Sequence, residues 1–284
     1  MIMIYEAQNN IVRRCYVDWR AWDGRNFCGV DWPFGDGIQV YSGDYNTIEN
    51  VIVGGLTPDW AVSIQANDPS LTAVGNKILG TVAIRAGMNP DGTVTTWGAT
   101  RPQPNSCPNS ITDFNWPGLR SGFMLYGQGE LSDNLFQDIF AWGNAGLGLT
   151  MIPGTTFFPT NHNNNVVRAT LLNNGLDNPD GPWPGQFGGK DTDIIENELS
   201  EFSSVQDSII DKVFIRWPNY PYSPRTLTSL TGNGAKLTNR YVNGVLTTTP
   251  LWPWPMEQRI RNELGISVTN LMAGIIPSQI NSIP

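Results

Sequence analysis

Histidine, cysteine and charge are all scarce in this chain of 284 residues, which has one His, three Cys and only 15% Asp, Glu, Lys and Arg together. With no Cys/His spacing there is no zinc or haem motif, and His162, inside Thr160-Asn-His-Asn-Asn-Asn165, reads as a turn residue. Acidic residues outnumber basic ones 25 to 17, for a net charge of −8. The densest basic spots, Arg13-Arg14 and Arg259-Ile-Arg261, are too small for a phosphate-binding surface, which excludes nucleic acid as the main partner. No apolar run approaches the length of a membrane-spanning helix. The opening Met1-Ile-Met-Ile-Tyr5 lacks the basic start and long apolar stretch of a signal peptide, and it reads as a first strand, so the chain is expected to begin inside a repeat.

Turn formers are plentiful, with 30 Gly and 21 Pro, and the 40% hydrophobic residues come in strand-sized pieces rather than in long blocks. That distribution excludes general disorder and points to many short strands. Cys15 occupies an apolar position and reads as a small core residue, whereas Cys28 and Cys107 lie in long detours. A bridge between those two is geometrically conceivable and would fit an oxidising compartment.

A seven-residue signature recurs at irregular intervals. Counting from an Asn or its equivalent, apolar residues follow at two, five and seven positions: Asn10 with Val12, Cys15 and Val17, and Asn46 with Ile48, Val51 and Val53. Further copies start at Lys77 (Leu79, Val82, Ile84), Asn134 (Phe136, Ile139, Ala141), Asn165 (Val167, Thr170, Leu172) and Ser208 (Ile210, Val213, Ile215). A weaker seventh runs from Ala235 through Leu237 to Val242, interrupted by Arg240. The step from five to seven is strand alternation, and the jump from two to five crosses a bend at polar or small residues such as Glu49, Asn50 and Gly80. Short runs such as Gly37-Ile-Gln-Val-Tyr41 and Gly122-Phe-Met-Leu-Tyr126 precede several copies as further strands. Each repeat is therefore a set of short strands joined by turns, the coil of a solenoid, which tolerates long insertions because a coil touches only its neighbours.

The long insertions follow one point of the repeat, at 18–35, 85–118, 173–190 and 216–229, so they are expected to project as one wall. That wall carries Trp19, Trp22, Trp32, Trp97, Trp116, Trp183 and Trp217, interleaved with acids and arginines such as Asp23, Asp91, Arg20 and Arg101. Flat aromatic faces beside hydrogen-bonding groups suit a carbohydrate ligand; the same Trp residues could instead staple the loops to the body. Outside the bend, Arg13/Arg14, Glu49/Asn50, Gln137/Asp138, Arg168 and Asp211/Lys212 form columns of complementary charge. A further outward stripe of Tyr16, Ile52, Ala83, Phe140, Leu171, Phe214 and Tyr241 needs cover from the loops, the C-terminal tail or a second molecule. The tail leaves the repeat after residue 246: Pro250-Leu-Trp-Pro-Trp-Pro255 punctuates it, Met256–Leu264 reads as a helical turn or two, and Ile266–Ile276 as a last strand. It is expected to cap the end or cover the stripe.

The winding resembles the right-handed parallel β-helix of the pectate-lyase-like superfamily, in which Asn residues stack at corners; the resemblance spans roughly residues 5 to 245. It implies an all-β, right-handed parallel β-helix of about seven to eight coils over residues 1–246, with a C-terminal cap at 247–284. The amphipathic helix that plugs the N-terminal end in that family has no counterpart here. The nearest local match is to polygalacturonase-like glycosidases: Gly35-Asp36-Gly37-Ile38 and Thr57-Pro58-Asp59-Trp60 stand in comparable order, which makes Asp36 and Asp59 candidate acid and base. The adjacent aspartate pair, the Gly-His-Gly and the Arg-x-Lys of that family are absent from this sequence. Lyases of the superfamily use calcium, for which Asp177, Asp180, Asp191 and Asp193 supply hard oxygen ligands. Two functions are expected from these features. One is an extracellular or cell-surface protein that binds, and in the enzymatic case cleaves, a polysaccharide. The other is a structural or adhesive module that self-associates through its N-terminal end and outward stripe.

Overall fold

A computed structural model describes residues 1–18, 36–54, 60–87, 117–127, 129–144, 146, 148–153, 163–172, 174, 194–196, 202–210, 213–215, 225–227 and 230–251. Every regular element among them is a strand. The first sheet has eight strands: Ile2–Tyr5, Ile38–Tyr41, Trp60–Ala66, Pro117–Gly127, Leu149–Pro153, Ile194–Glu196, Val213–Ile215 and Arg225–Leu227. The second has six: Ile11–Arg13, Thr47–Glu49, Lys77–Leu79, Leu135–Gln137, Asn164–Val167 and Phe202–Gln206. The third has seven: Tyr16–Asp18, Ile52–Gly54, Val82–Ile84, Phe140–Trp142, Thr170–Leu172, Ile209–Ile210 and Leu230–Thr231. The chain visits first, second and third sheet in rotation, one strand each per pass, and successive passes pair in parallel. Only the last strands of the first and third sheets, Arg225–Leu227 and Leu230–Thr231, turn antiparallel.

Alternation decides what is buried between the sheets. In the second sheet Ile48, Ile78, Phe136 and Val166 lie one above another in register, and all are fully buried. They join Val53, Ala83, Ala141 and Leu171 of the third sheet and Ile38, Val62, Ile64, Phe123 and Leu125 of the first in one continuous core. Cys15, free and half-buried, packs against it as expected, and burial pushes its thiol pKa up.

Two corners hold the rotation. Between second and third sheets the bend residue adopts left-handed φ in every pass: Arg14 (51°), Asn50 (53°), Gly80 (54°), Asp138 (54°), Arg168 (51°) and Asp207 (49°). Side chains other than Gly, Asn and Asp adopt this conformation at a cost of about 1 kcal/mol or more, so the two arginines stay there because their neighbours fix them. Before the second sheet, Asn9, Tyr45, Gly75, Asp133 and Asn163 repeat the same conformation. Each is followed by a ladder Asn: 10, 46, 76, 134 and 164. Each ladder residue donates backbone N–H and Nδ2–H to Oδ1 of the next, at 2.9–3.2 Å. Nδ2 also donates to a carbonyl of the preceding turn, as from Asn134 to Ala73 at 2.9 Å. A shorter ladder joins Asn144 to Asn174.

The ladder corrects three of the sequence frames. The third and fifth copies start at Asn76 and Asn164 rather than Lys77 and Asn165, which puts Ala83 and Leu171 in the core and Val82, Ile84 and Thr170 outside. In the sixth, Ile209–Ile210 belong to the third sheet and Val213–Ile215 to the first, so Ser208 sits at the corner rather than at the start. The supposed seventh copy is no pass at all. Asn239–Val242 and Val245–Pro250 pair antiparallel around Asn243 (φ 52°) and Gly244 (φ 78°), a two-residue hairpin whose conformation the Asn-Gly pair favours.

That hairpin and its approach, residues 232–251, form a strap along the second-to-third corner. Asn233 N–H donates to Asp207, Ala235 N–H to Thr170, Lys236 N–H to Asp138 and Tyr241 N–H to Asn50, each at 2.9 Å. Gly244 N–H reaches Glu49 at 2.8 Å, and Arg13 donates to the Asn243 side chain at 2.6 Å. Ala235, Leu237 and Leu251 cover the outward Ile52, Val82, Ile84, Phe140 and Trp142. Of the expected outward stripe, Ile52 and Phe140 are buried here and Tyr16 partly so, Tyr241 belongs to the strap itself, Ala83 and Leu171 face the core instead, and the side chain of Phe214 lies outside the described residues. The expected charge columns form as Arg13–Glu49 and Arg168–Asp138, whereas Asp211 and Lys212 lie outside the described residues. The boundary expected after residue 246 falls inside the strand Val245–Pro250, and residues 252–284 lie outside the described set.

Candidate functional site

Outward positions of the first sheet form two rows across its strands. Met3, Gln39, Ser63 and Met124 make one; Tyr5, Tyr41, Gln65 and Tyr126 make the other. Their inward neighbours Ile4, Val40, Ile64 and Leu125 fill the core, so alternation alone fixes this face. Tyr5 and Tyr41 stack at 5.4 Å between ring centroids with planes 8° apart. Trp60 stacks on Tyr126 at 6.3 Å and packs against Met124. Tyr5 is 58% exposed, Tyr41 and Tyr126 partly so.

Beneath this aromatic rim lies a buried polar floor. Asp36 is 1% exposed; its carboxylate accepts from Ser63 Oγ–H in a short hydrogen bond, from Gln65 Nε2 at 3.1 Å and from the Trp60 N–H at 3.3 Å. Gln65 also donates to Ser63 Oγ at 2.9 Å, and Asn67 to Gln65 at 3.1 Å. Desolvation pushes the Asp36 carboxyl up to about 7, and the three donors offset it only in part. Gln39, opposite Ser63 in register, is buried with its Oε1 unpartnered.

Of the expected acid and base, Asp36 is at the head of a first-sheet strand, while Asp59 lies outside the described residues. So do Trp19, Trp22, Trp32, Trp97, Trp116, Trp183 and Trp217, the calcium candidates Asp177, Asp180, Asp191 and Asp193, and Cys28, Cys107 and His162. Among the described residues no group of three or more His, Cys, Asp or Glu is placed to hold a metal. Tyr5, Tyr41, Trp60 and Tyr126 were not singled out by the sequence reading, although strict alternation in Ile38-Gln-Val-Tyr41 and Trp60–Ala66 carries the signal.

A second buried polar centre sits under the strap. Asp138 accepts two hydrogen bonds from Arg168, at 2.7 and 2.6 Å, one from Lys236 N–H at 2.9 Å and a short one from the Tyr241 hydroxyl. The Tyr241 pKa is raised, first by burial and then by Asp138, and that of Arg168 chiefly by its hydrogen bonds to Asp138. This centre is satisfied by its own chain and ties the strap to the corner. No family model, curated protein or solved structure matches the sequence or the fold. The class of protein shown is therefore an all-β one built mostly of parallel sheets, with no helix among the described residues that could cross a membrane.

Proposed function

We propose that the three sheets are the faces of a right-handed parallel β-helix, with six complete coils among the described residues rather than the seven to eight expected, belonging to an extracellular or cell-surface protein that binds a polysaccharide on the outer face of the first sheet. One observation carries the reading: Tyr5, Tyr41 and Tyr126 fall in a single row across four neighbouring strands, interrupted only by Gln65, with Tyr5 stacked on Tyr41 and open to solvent, an aromatic edge on which sugar rings can stack. Topology adds support. Three long detours connect the end of a third-sheet strand to the next first-sheet strand, and the fourth runs between the first-sheet strands Val213–Ile215 and Arg225–Leu227. The tryptophans in these detours lie outside the described residues, but each detour leads into this sheet. The geometry favours binding over cleavage, because Asp36 is buried beneath the rim and spends its oxygens on Ser63, Gln65 and the Trp60 backbone.

A glycan array with the full chain tests this. Retention of one glycan class is expected, with affinity falling at least about tenfold in Tyr5→Ala/Tyr41→Ala and in Trp97→Ala/Trp183→Ala variants. Long polymers without glycan affinity would favour self-association instead, although Ile52 and Phe140 of the stripe expected to drive it already pack with Ala235, Leu237 and Leu251.

A further inference from the structure

We infer that two copies of the chain pair head to head through the strand Ile2–Tyr5, antiparallel about a twofold axis at Met3. The inference is independent of the polysaccharide reading. Ile2–Tyr5, Ile11–Arg13 and Tyr16–Asp18 are the outermost strands of the three sheets at this end. Exposed apolar side chains gather here: Met1, Met3 and Tyr5 along the edge of the first sheet, Ile11 on that of the second, and Val245 and Leu246 beside the hairpin tip that Arg13 holds through Asn243. Edge strands usually carry a charge, a proline or a bulge that prevents such pairing. Ile2-Met-Ile-Tyr5 has neither charge nor proline, and it runs in unbroken register with Ile38–Tyr41.

The chemistry of this edge selects a second copy of itself. In a parallel pair, alternate residues bond to opposite sides. Ile2 and Glu6 donate their N–H groups to the carbonyls of Gly37 and Tyr41, at 3.0 and 2.8 Å, so those of Met3 and Tyr5 point off the edge of the sheet. An antiparallel copy centred on Met3 exchanges both backbone bonds between Met3 and its twin, and sets Met1 opposite Tyr5 of the second copy. Met1, Met3 and Tyr5 share the outward face by alternation, so each apolar side chain that one edge exposes there meets one from the other. Tyr5 is prepared for such a neighbour. One face of its ring stacks on Tyr41 with planes 8° apart, which turns the other face off the end of the row, where a methionine thioether packs favourably on it. A twofold contact of this kind closes at two copies instead of growing into a polymer.

Sedimentation of the full chain, combined with disulfide trapping, tests this. At about 50 µM the chain should sediment at twice its monomer mass. Met3→Lys sets two ammonium groups face to face across the axis and should weaken the dimer at least about tenfold. Its fold should be kept, with an unchanged far-UV circular dichroism spectrum, because Met3 is exposed. Met3→Cys should form a disulfide-linked dimer under mild oxidation, since facing Cα atoms lie about 5.5 Å apart. Tyr5→Cys, whose two copies would stand about 13 Å apart along the strands, should not, and it carries the same native cysteines as a control. A chain that stays monomeric at about 50 µM, a Met3→Lys variant that dimerises as before, or equal trapping at both positions would overturn the inference. Polymers in place of dimers would overturn it too, since they need an open contact and not a closed one.

Discussion

Burial strips a carboxylate of hydration, and at Asp36 one hydroxyl, one amide and one backbone N–H replace only part of it. The folded-state pKa of about 7 lies above the ordinary 3.8, so between these values the folded chain binds more protons than the unfolded one. Stability from this residue is therefore greatest in acid, falls as pH rises from about 4 to about 7, and is flat beyond, a swing of about 4 kcal/mol at most. Asp36→Asn, which cannot ionise, should abolish that component. Urea midpoints measured from pH 4 to 8 should show wild type losing ground to the variant across this window; parallel curves would mean the carboxyl ionises normally. How much of this was legible in sequence is uneven. Asp36-Gly37-Ile38 marked a turn into a strand, and the strand is there. What could not be read is that Ser63 and Gln65, 27 and 29 residues away, would meet it. Strand parity places a side chain on a face, but only the register of neighbouring passes decides its partners.

At the scale of elements, the ladder and the strap do different jobs. Inside the ladder, Asn134 accepts from the backbone and side chain of Asn76 and donates to Ala73 and Asn164, all in buried surroundings. Removing it orphans the Asn76 N–H and the Ala73 carbonyl, each worth about 1–3 kcal/mol when buried. Asn134→Ala should thus destabilise by at least about 3 kcal/mol, against about 1 kcal/mol or less for Asn10→Ala, whose own side chain is exposed and only donates, to Asn46 and to the exposed Gln8 carbonyl. Equal losses in chemical denaturation would show that the ladder's burial, as described, is not what makes it strong. The strap meets a different constraint at Gly80, where φ is 54° and an added Cβ would stand 3.1 Å from the Tyr241 ring. The misplaced frames have a physical origin here. In most β proteins the outer face is polar, so an apolar residue marks the inside. Because the strap covers the outer face, Leu79, Val82 and Ile84 are as apolar and buried as Ile78 and Ala83, and a slip of one residue fits the pattern equally well. The hairpin is better signposted, since Asn243-Gly244 between Tyr241-Val242 and Val245-Leu246 is a strong turn signal, although Leu237 and Val242 also fit the spacing of a seventh repeat.

For the whole molecule the strap changes how the passes unfold. A stack whose units touch only their neighbours can fray pass by pass from either end. Here one segment near the C-terminus bonds to Asp207, Thr170, Asp138, Asn50, Glu49 and Arg13, partners spread over almost the entire described length. Opening an early pass then requires releasing contacts some 190 to 230 residues away in sequence. Native-state hydrogen exchange should accordingly show amides of Ile48, Ile78 and Phe136 exchanging together, with similar opening free energies. Tyr241→Ala removes the ring from Gly80 and the hydroxyl from Asp138 and Gln137, at a cost of about 3–5 kcal/mol. The loss should be distributed, lowering protection in all three of these second-sheet strands at once, while Tyr241→Phe, which keeps the ring, should cost only about 1–3 kcal/mol. If Tyr241→Ala speeds exchange in the hairpin alone and leaves Ile48 and Phe136 unchanged, the strap is an ornament on an independently stable stack. If all respond together, the strap is what makes the passes one cooperative unit, and it holds the Tyr5–Tyr41 platform of the first pass as firmly as the core behind it.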